Sequence, residues 1–289
     1  MRFSEDKLAT FKGSDQVERT IHIWSPEQPR AVILAFHGGM AHGGDYVTPA
    51  LYFRGKGIAT VSFDMCGHNG KRRVDIPGFE VFLSDAELIL KWVKKQFPRR
   101  PVFVMGHSMG ALIATHLGLG QFAKERRING FILSSPYYVN AVKVPKVVVF
   151  FSDWLAKIFP KMKVPLEPLT DFLTHDPVIT ARHHADEADN IRASEVTMRF
   201  ATSLLAAQKA LTGNMLSAWS FPVFSVVAGS DKLANYTETQ SMLKRIDAKL
   251  LEYHFYVNNF HENFNELNRE KIFVDILSWL EKQLSKAAA

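Results

Sequence analysis

A serine between two glycines, an aspartate that follows a late apolar run and a histidine further on are the residues of this chain best suited to covalent chemistry. The serine lies in Gly106-His107-Ser108-Met109-Gly110, where the apolar run from Val102 to Met105 breaks off before apolar residues resume at helical spacing. A serine hydroxyl is a weak nucleophile unless it is held exposed beside a base, and a sharp strand-to-helix turn holds it so. The turn demands small neighbours: a side chain at Gly106 or Gly110 is expected to strike the adjoining strand or helix. Leu112, Thr115, His116 and Leu119 continue on one helical stripe, so the pentapeptide fits a nucleophile elbow.

Such a serine needs an imidazole base and a carboxylate that orients it, in the chain order serine, acid, histidine. In an open α/β sheet these groups sit just past the carboxyl ends of strands. Asp231 follows the strand candidate Val223–Ala228 directly; Asp247 is the second candidate, placed by its pattern in a surface helix. Of the histidines beyond the acid, His254 alternates within Leu250–Val257 and reads as a sheet-face residue. His261 lies in the loop after that strand and can reach the sheet edge. The negative oxygen of a tetrahedral intermediate requires two donors. One is the backbone N–H of Met109. Gly39 supplies the other, from the glycine loop His37–His42 that follows Ala31–Phe36, with His37 and His42 as supports of that loop.

The elements that must position these groups alternate. Leu8–Lys12 and Glu18–Trp24 flank a Gly-Ser-Asp turn and read as a hairpin; Ala31–Phe36, Ile58–Phe63, Val102–Met105, Phe131–Ser134, Val223–Ala228 and Leu250–Val257 read as parallel strands. Helical segments such as Phe79–Phe97 and Met109–Phe122 separate them, which predicts an α/β fold: a mostly parallel twisted sheet flanked by helices. The stretch between Ser134 and Val223 far exceeds the ~10–15 residues of a simple crossover. It predicts a helical lid over residues 137–218, inserted into a core made of 1–136 and 219–289. Its first helix, Lys146–Phe159, carries Val147, Phe150, Phe151, Trp154 and Ile158 on one apolar stripe, suited to packing on the body, lining an acyl channel or touching a lipid surface.

With 289 residues and 47% hydrophobic composition the chain can bury a large core. Cys66 is the only cysteine, which excludes an internal disulfide, and it reads as unreactive. The N-terminal residues lack the apolar core of a secretory signal, and no uncharged stretch reaches the ~20 residues of a spanning helix. A cytoplasmic location follows as the expectation, with peripheral attachment to membranes allowed by the net charge of +6. Lys71-Arg72-Arg73, Arg99-Arg100 and Arg126-Arg127 read as scattered, solvated ends, and no motif points to nucleic acid. His183-His184 with Asp186, Glu187 and Asp189 matches no familiar zinc spacing and reads as exposed lid surface, so neither metal nor cofactor is expected.

On these residues the chain resembles the α/β-hydrolase superfamily, and within it the monoacylglycerol lipase and lysophospholipase-like branch. His37-Gly-Gly-Met-Ala-His42 matches a His-Gly-x-x-x-His loop, Asp64-Met-Cys-Gly-His68 an Asp-x-x-Gly-His turn, and His261-x-x-x-x-Glu266 the histidine segment. The sequence departs from that pattern at Met40-Ala41, Cys66, Asn69 and the tight Gly229-Ser-Asp231. The resemblance implies Ser108, Asp231 and His261 as triad, Gly39 and Met109 as oxyanion-hole donors, and medium or long-chain acyl esters such as monoacylglycerols or lysophospholipids as substrates. The alternatives are another serine acyl-transfer enzyme (peptidase, thioesterase or acyltransferase) and a non-catalytic ligand receptor built on the same fold.

Overall fold

In a computed structural model that describes residues 2–141, 154–164 and 169–288, eight strands form one sheet in the order β1-β2-β4-β3-β6-β7-β10-β11. These are β1 (Lys7–Lys12), β2 (Glu18–Trp24), β3 (Ala31–Phe36), β4 (Ile58–Phe63), β6 (Val102–His107), β7 (Ile128–Ser134), β10 (Val223–Ala228) and β11 (Leu251–Tyr256). β1 and β2 pair antiparallel, β2 joins β4 antiparallel, and β4, β3, β6, β7, β10 and β11 run parallel to one another. The fold class expected from the alternating pattern is therefore present.

Side-chain alternation along the strands divides the core in two. Ile33, Ala35, Phe103 and Met105 face Phe53, Ile272, Ile276 and Trp279; Val32, Leu34, Phe36 and Val104 face Ile89, Leu112, Ile113 and Leu117. The first layer uses α1 (Val47–Arg54) and the C-terminal helix Arg269–Ala288, the second α2 (Glu80–Gln96) and α3 (Met109–Leu119). Strands covered on both faces read as near-continuous apolar runs, and β3, β4 and β10 are buried at every position; the buried hydroxyls of Ser62 and Ser225 are satisfied by donating to the carbonyls of Ala35 and Leu133. The chain reverses direction across the sheet between β3 and β6, so the loops leaving their carboxyl ends lie side by side, where open α/β sheets place ligands.

The segment between β7 and β10 differs from a purely helical insertion. Besides the helices Pro177–Ala188, Met198–Ala210 and Gly213–Leu216, it contributes β8 (Lys163–Val164) and β9 (Glu195–Thr197) to a small sheet with β5 (Arg73–Val74), in the order β5-β9-β8. Strands of two or three residues carry no readable periodicity; besides the backbone pairing of the three strands, Glu195 pairs across this sheet with Arg73 at 2.7 Å and Lys163 at 2.9 Å. Of the apolar helix read at Lys146–Phe159, residues 146–153 lie outside the described residues. Trp154–Ile158 is helical.

Two further expectations need correction. Asp247 lies in an exposed turn, where its Oδ1 accepts from Lys249 N–H, because the helix before it, Tyr236–Leu243, has already ended. The paired arginines are not scattered: Arg30, Arg99, Arg100, Arg126 and Arg127 line one groove of about 500 Å³. Each group directly precedes one of the neighbouring strands β3, β6 and β7, so the sheet gathers them at its amino edge.

Candidate active site

Ser108 sits between β6 and α3 with φ 55° and ψ −118°, a left-handed backbone that a non-glycine residue adopts only under constraint. The two glycines make that turn possible. A Cβ on Gly106 would lie 2.4 Å from the Gly110 carbonyl oxygen, and one on Gly110 would lie 1.9 Å from that of Phe36. Backbone bonds fix the serine itself: its N–H donates to Ser134 O (2.9 Å) and its carbonyl accepts from Tyr137 N–H (3.2 Å).

Asp231 and His261 come together past the ends of β10 and β11. His261 Nδ1 lies 2.7 Å from Asp231 Oδ2, both side chains being 2% exposed. A carboxylate only accepts, so Nδ1 carries the hydrogen and Nε2 keeps its lone pair. Asp231 Oδ1 accepts from the N–H groups of Leu233 (2.8 Å) and Ala234 (3.0 Å). Burial pushes the Asp231 carboxyl up, but His261 and these two amides outweigh it and leave it below its ordinary range. His261 Nε2 is buried without a partner, so its bond to the Ser108 hydroxyl is not closed here. The ring nonetheless lies beside the elbow, 4.8 Å from the ring of His107. That neighbouring ring is held neutral, pushed down to about 3 by burial and by His261.

The glycine loop lies over the serine. A Cβ on Gly38 would meet Ser108 Cβ at 3.5 Å, and one on Gly39 would meet Met109 Cβ at 3.9 Å. The backbone N–H groups of Gly39 and Met109 donate to no acceptor among the described residues, as expected of donors aimed at a ligand. His37 supports the loop as its position suggested. Its Nδ1 hydrogen goes to Gly38 O at 2.8 Å while Nε2 accepts from Met65 N–H at 3.1 Å, and burial with the neighbouring His68 pushes it down to about 3. A neutral ring with one donor and one acceptor thus ties the loop to the turn Asp64–His68. Cys66, in that turn, is buried; burial raises its thiol to about 11, in keeping with an unreactive residue.

One part of the surroundings departs from the sequence reading. His183 and Asp186 are buried at 0% and 1% exposure rather than lying on a surface, while His184 is exposed. They belong to a charge network: His183 Nε2 meets Glu262 (2.8 Å), Arg192 meets both Glu262 (3.2 Å) and Asp45 (2.9 Å), and Asp186 pairs with His42 (3.3 Å) and Arg2 (2.7 Å). His42, Asp45 and Asp186 approach closely enough to suggest metal ligands, but Arg192 and Arg2 already answer these carboxylates. Sequence reasoning passed over Arg192, Asp45 and Glu262. The one available signal was that Glu262 adjoins His261.

A family model described as serine aminopeptidase, S33, matches residues 27–268 of the chain. The chain is 29% identical to phospholipase YtpA of Bacillus subtilis, over 86% of this chain and 95% of that protein. It is 25% identical to the monoacylglycerol lipase of Mycolicibacterium smegmatis, over 95% of this chain and 97% of that one. A soluble variant of monoglyceride lipase from Saccharomyces cerevisiae, solved with a substrate analogue, has the same fold (TM-score 0.79, 18% identity, 96% of this chain and 95% of that one).

Proposed function

We propose that this chain, a serine hydrolase that belongs to the α/β-hydrolase family described as serine aminopeptidase S33, cleaves carboxylic esters of medium or long acyl chains through an acyl-enzyme formed on Ser108. The observation that carries the reading is the Asp231–His261 bond of 2.7 Å with Nε2 left free beside a strained serine. In this mechanism His261 takes the Ser108 proton as the hydroxyl oxygen attacks the ester carbonyl. Asp231 holds the ring in the tautomer that makes Nε2 the base and stabilises the imidazolium. The amides of Gly39 and Met109 receive the developing negative charge. His261 then returns its proton to the leaving alcohol, and water, activated by the same ring, releases the acid.

Lipid-like substrates are supported by the relatives named phospholipase and monoacylglycerol lipase and by the apolar surroundings of the loop. Phe200, on the helix Met198–Ala210, reaches to 3.9 Å of where a Gly39 Cβ would be. In this reading residues 137–218 act as a lid over a core of 1–136 and 219–289. Each acyl methylene buried in such a channel contributes about 0.8 kcal/mol, roughly fourfold in kcat/KM. A series of p-nitrophenyl esters is therefore expected to show kcat/KM rising from acetate toward octanoate, and a maximum at acetate refutes the channel. Running the same assay with added glycerol separates hydrolysis from acyl transfer, since a transferase yields glycerides.

Among the described residues no helix is long and apolar enough to cross a membrane. The proposed contact with a lipid surface is peripheral: Trp154, Ile158 and Phe159 are 57%, 48% and 56% exposed and adjoin Lys157 and Lys161. The protein is expected to float with anionic liposomes at low salt, and less so after Trp154→Ser and Phe159→Ser. A wild-type protein that stays at the bottom of the gradient removes this contact.

A further inference from the structure

We propose that Arg192, together with the backbone of Ala193, is a clamp by which the segment between β7 and β10 positions both the oxyanion loop and the histidine loop; this rests on the triad reading above. Two consecutive residues reach both loops. The Arg192 guanidinium places Nη1 2.9 Å from Asp45 Oδ2 and Nη2 3.2 Å from Glu262 Oε1. Asp45 stands in the turn that ends the glycine loop, and Glu262 directly follows His261. Ala193 N–H donates at 2.8 Å to the carbonyl of Met40, which has φ 66° and follows the oxyanion candidate Gly39.

The arrangement is dry and specific. Side-chain exposure is 7% for Arg192, 11% for Asp45 and 8% for Glu262. A planar guanidinium can serve two carboxylates along different edges at once, which a single ammonium point does poorly. Glu262 is held further by His183 Nε2 (2.8 Å), Asn265 Nδ2 (2.7 Å) and its own N–H on Leu173 O (2.8 Å), so it cannot swing away when the clamp is intact. The residues 173–193 thereby join the machinery that sets the positions of His261 and Gly39, acting through them without touching substrate.

Electrostatics give the clamp a signature that a merely structural residue lacks. Glu262 faces Arg192, His183, Asn265 and His107; Asp45 faces Arg192, Arg182, His42 and His183; Asp186 faces His42 and Arg2. Burial pushes the Glu262 carboxyl up, yet His183 and Arg192 hold it ionised far below its ordinary range. Removing the guanidinium leaves excess buried negative charge near His107 and His261. That charge favours an imidazolium, and an imidazolium cannot accept the serine proton. Activity then requires a higher pH.

The test compares the wild type with Arg192→Met, Arg192→Lys and the charge-balanced double variant Arg192→Met/Glu262→Gln, on a soluble short-chain p-nitrophenyl ester across pH. Near-UV circular dichroism reports folding. R192M is expected to lose on the order of 10²-fold in kcat, the effect of misplacing reacting groups by about an ångström, with KM nearly constant and the acid limb of kcat/KM moved to higher pH. R192K is expected to keep the wild-type limb with part of the kcat, and the double variant to return the limb without the kcat. A folded R192M with wild-type kcat and limb overturns the clamp, as does an R192K limb displaced as far as that of R192M. If R192M does not fold, the limbs of R192K and the double variant decide in the same way. Fluorophosphonate labelling of the wild type at Ser108 is measured in parallel: its absence fails the triad reading, and the clamp with it, whereas its presence alongside an unaltered R192M fails the clamp alone.

Discussion

Replacing Ser108 by alanine is expected to abolish labelling by a fluorophosphonate probe and to lower kcat on the order of 10⁶-fold, the loss seen when a hydrolase nucleophile is removed. The size of the effect follows from what the oxygen does. Without it no acyl-enzyme forms, and what remains is the stabilisation offered by the Gly39 and Met109 amides to direct attack by water. Folding should survive, because the elbow depends on Gly106, Gly110 and the backbone bonds of residue 108 to Ser134 and Tyr137. Alanine retains all of these. An intact-mass measurement showing probe adduct on folded S108A, or turnover within an order of magnitude of the wild type, rejects Ser108 as the nucleophile.

Asp231→Asn should cost about 10⁴-fold in kcat, with KM little altered. The asparagine fills the same volume but offers an NH₂ where Nδ1 of His261 needs an acceptor, so the ring turns to the tautomer with its hydrogen on Nε2. The base then points its proton at the serine. The pH behaviour carries a second sign. The Asp231 carboxyl lies below its ordinary range when folded, so its contribution to stability is present at neutral pH and is lost as pH falls through the carboxylate range. Chemical denaturation from pH 7 to pH 3 should therefore show a smaller acid-induced loss for D231N than for the wild type. Equal slopes mean that the carboxylate is not held as described, and unchanged turnover removes Asp231 from the mechanism.

Local geometry was the legible part of this protein. A strained serine between strand and helix needs glycines at both flanking positions, and the collision distances at Gly106 and Gly110 bear out that requirement. Strands buried on both faces stand out as nearly continuous apolar runs, and β3, β4 and β10 keep the bounds read from the sequence. The order of loops after those strands then selected Asp231 over Asp247 and His261 over His254. Asp231 and His261 do meet, whereas Asp247 ends in a surface turn and His254 stays within β11.

What the amino-acid sequence by itself determined was the set of groups able to make and break an ester, together with the strand-and-turn pattern that turns them toward one edge. Only the tertiary structure decided which charges are buried together. His183 and Asp186 read as surface residues, yet they sit in the interior with Arg192, Glu262 and Asp45. Two arginine pairs read as scattered, yet with Arg30 they share one groove. The physical reason is range. Backbone strain and apolar alternation act between residues a few positions apart and leave a local mark, whereas desolvation and ion pairing depend on which distant segments come to face each other, and that is settled only when the chain closes on itself.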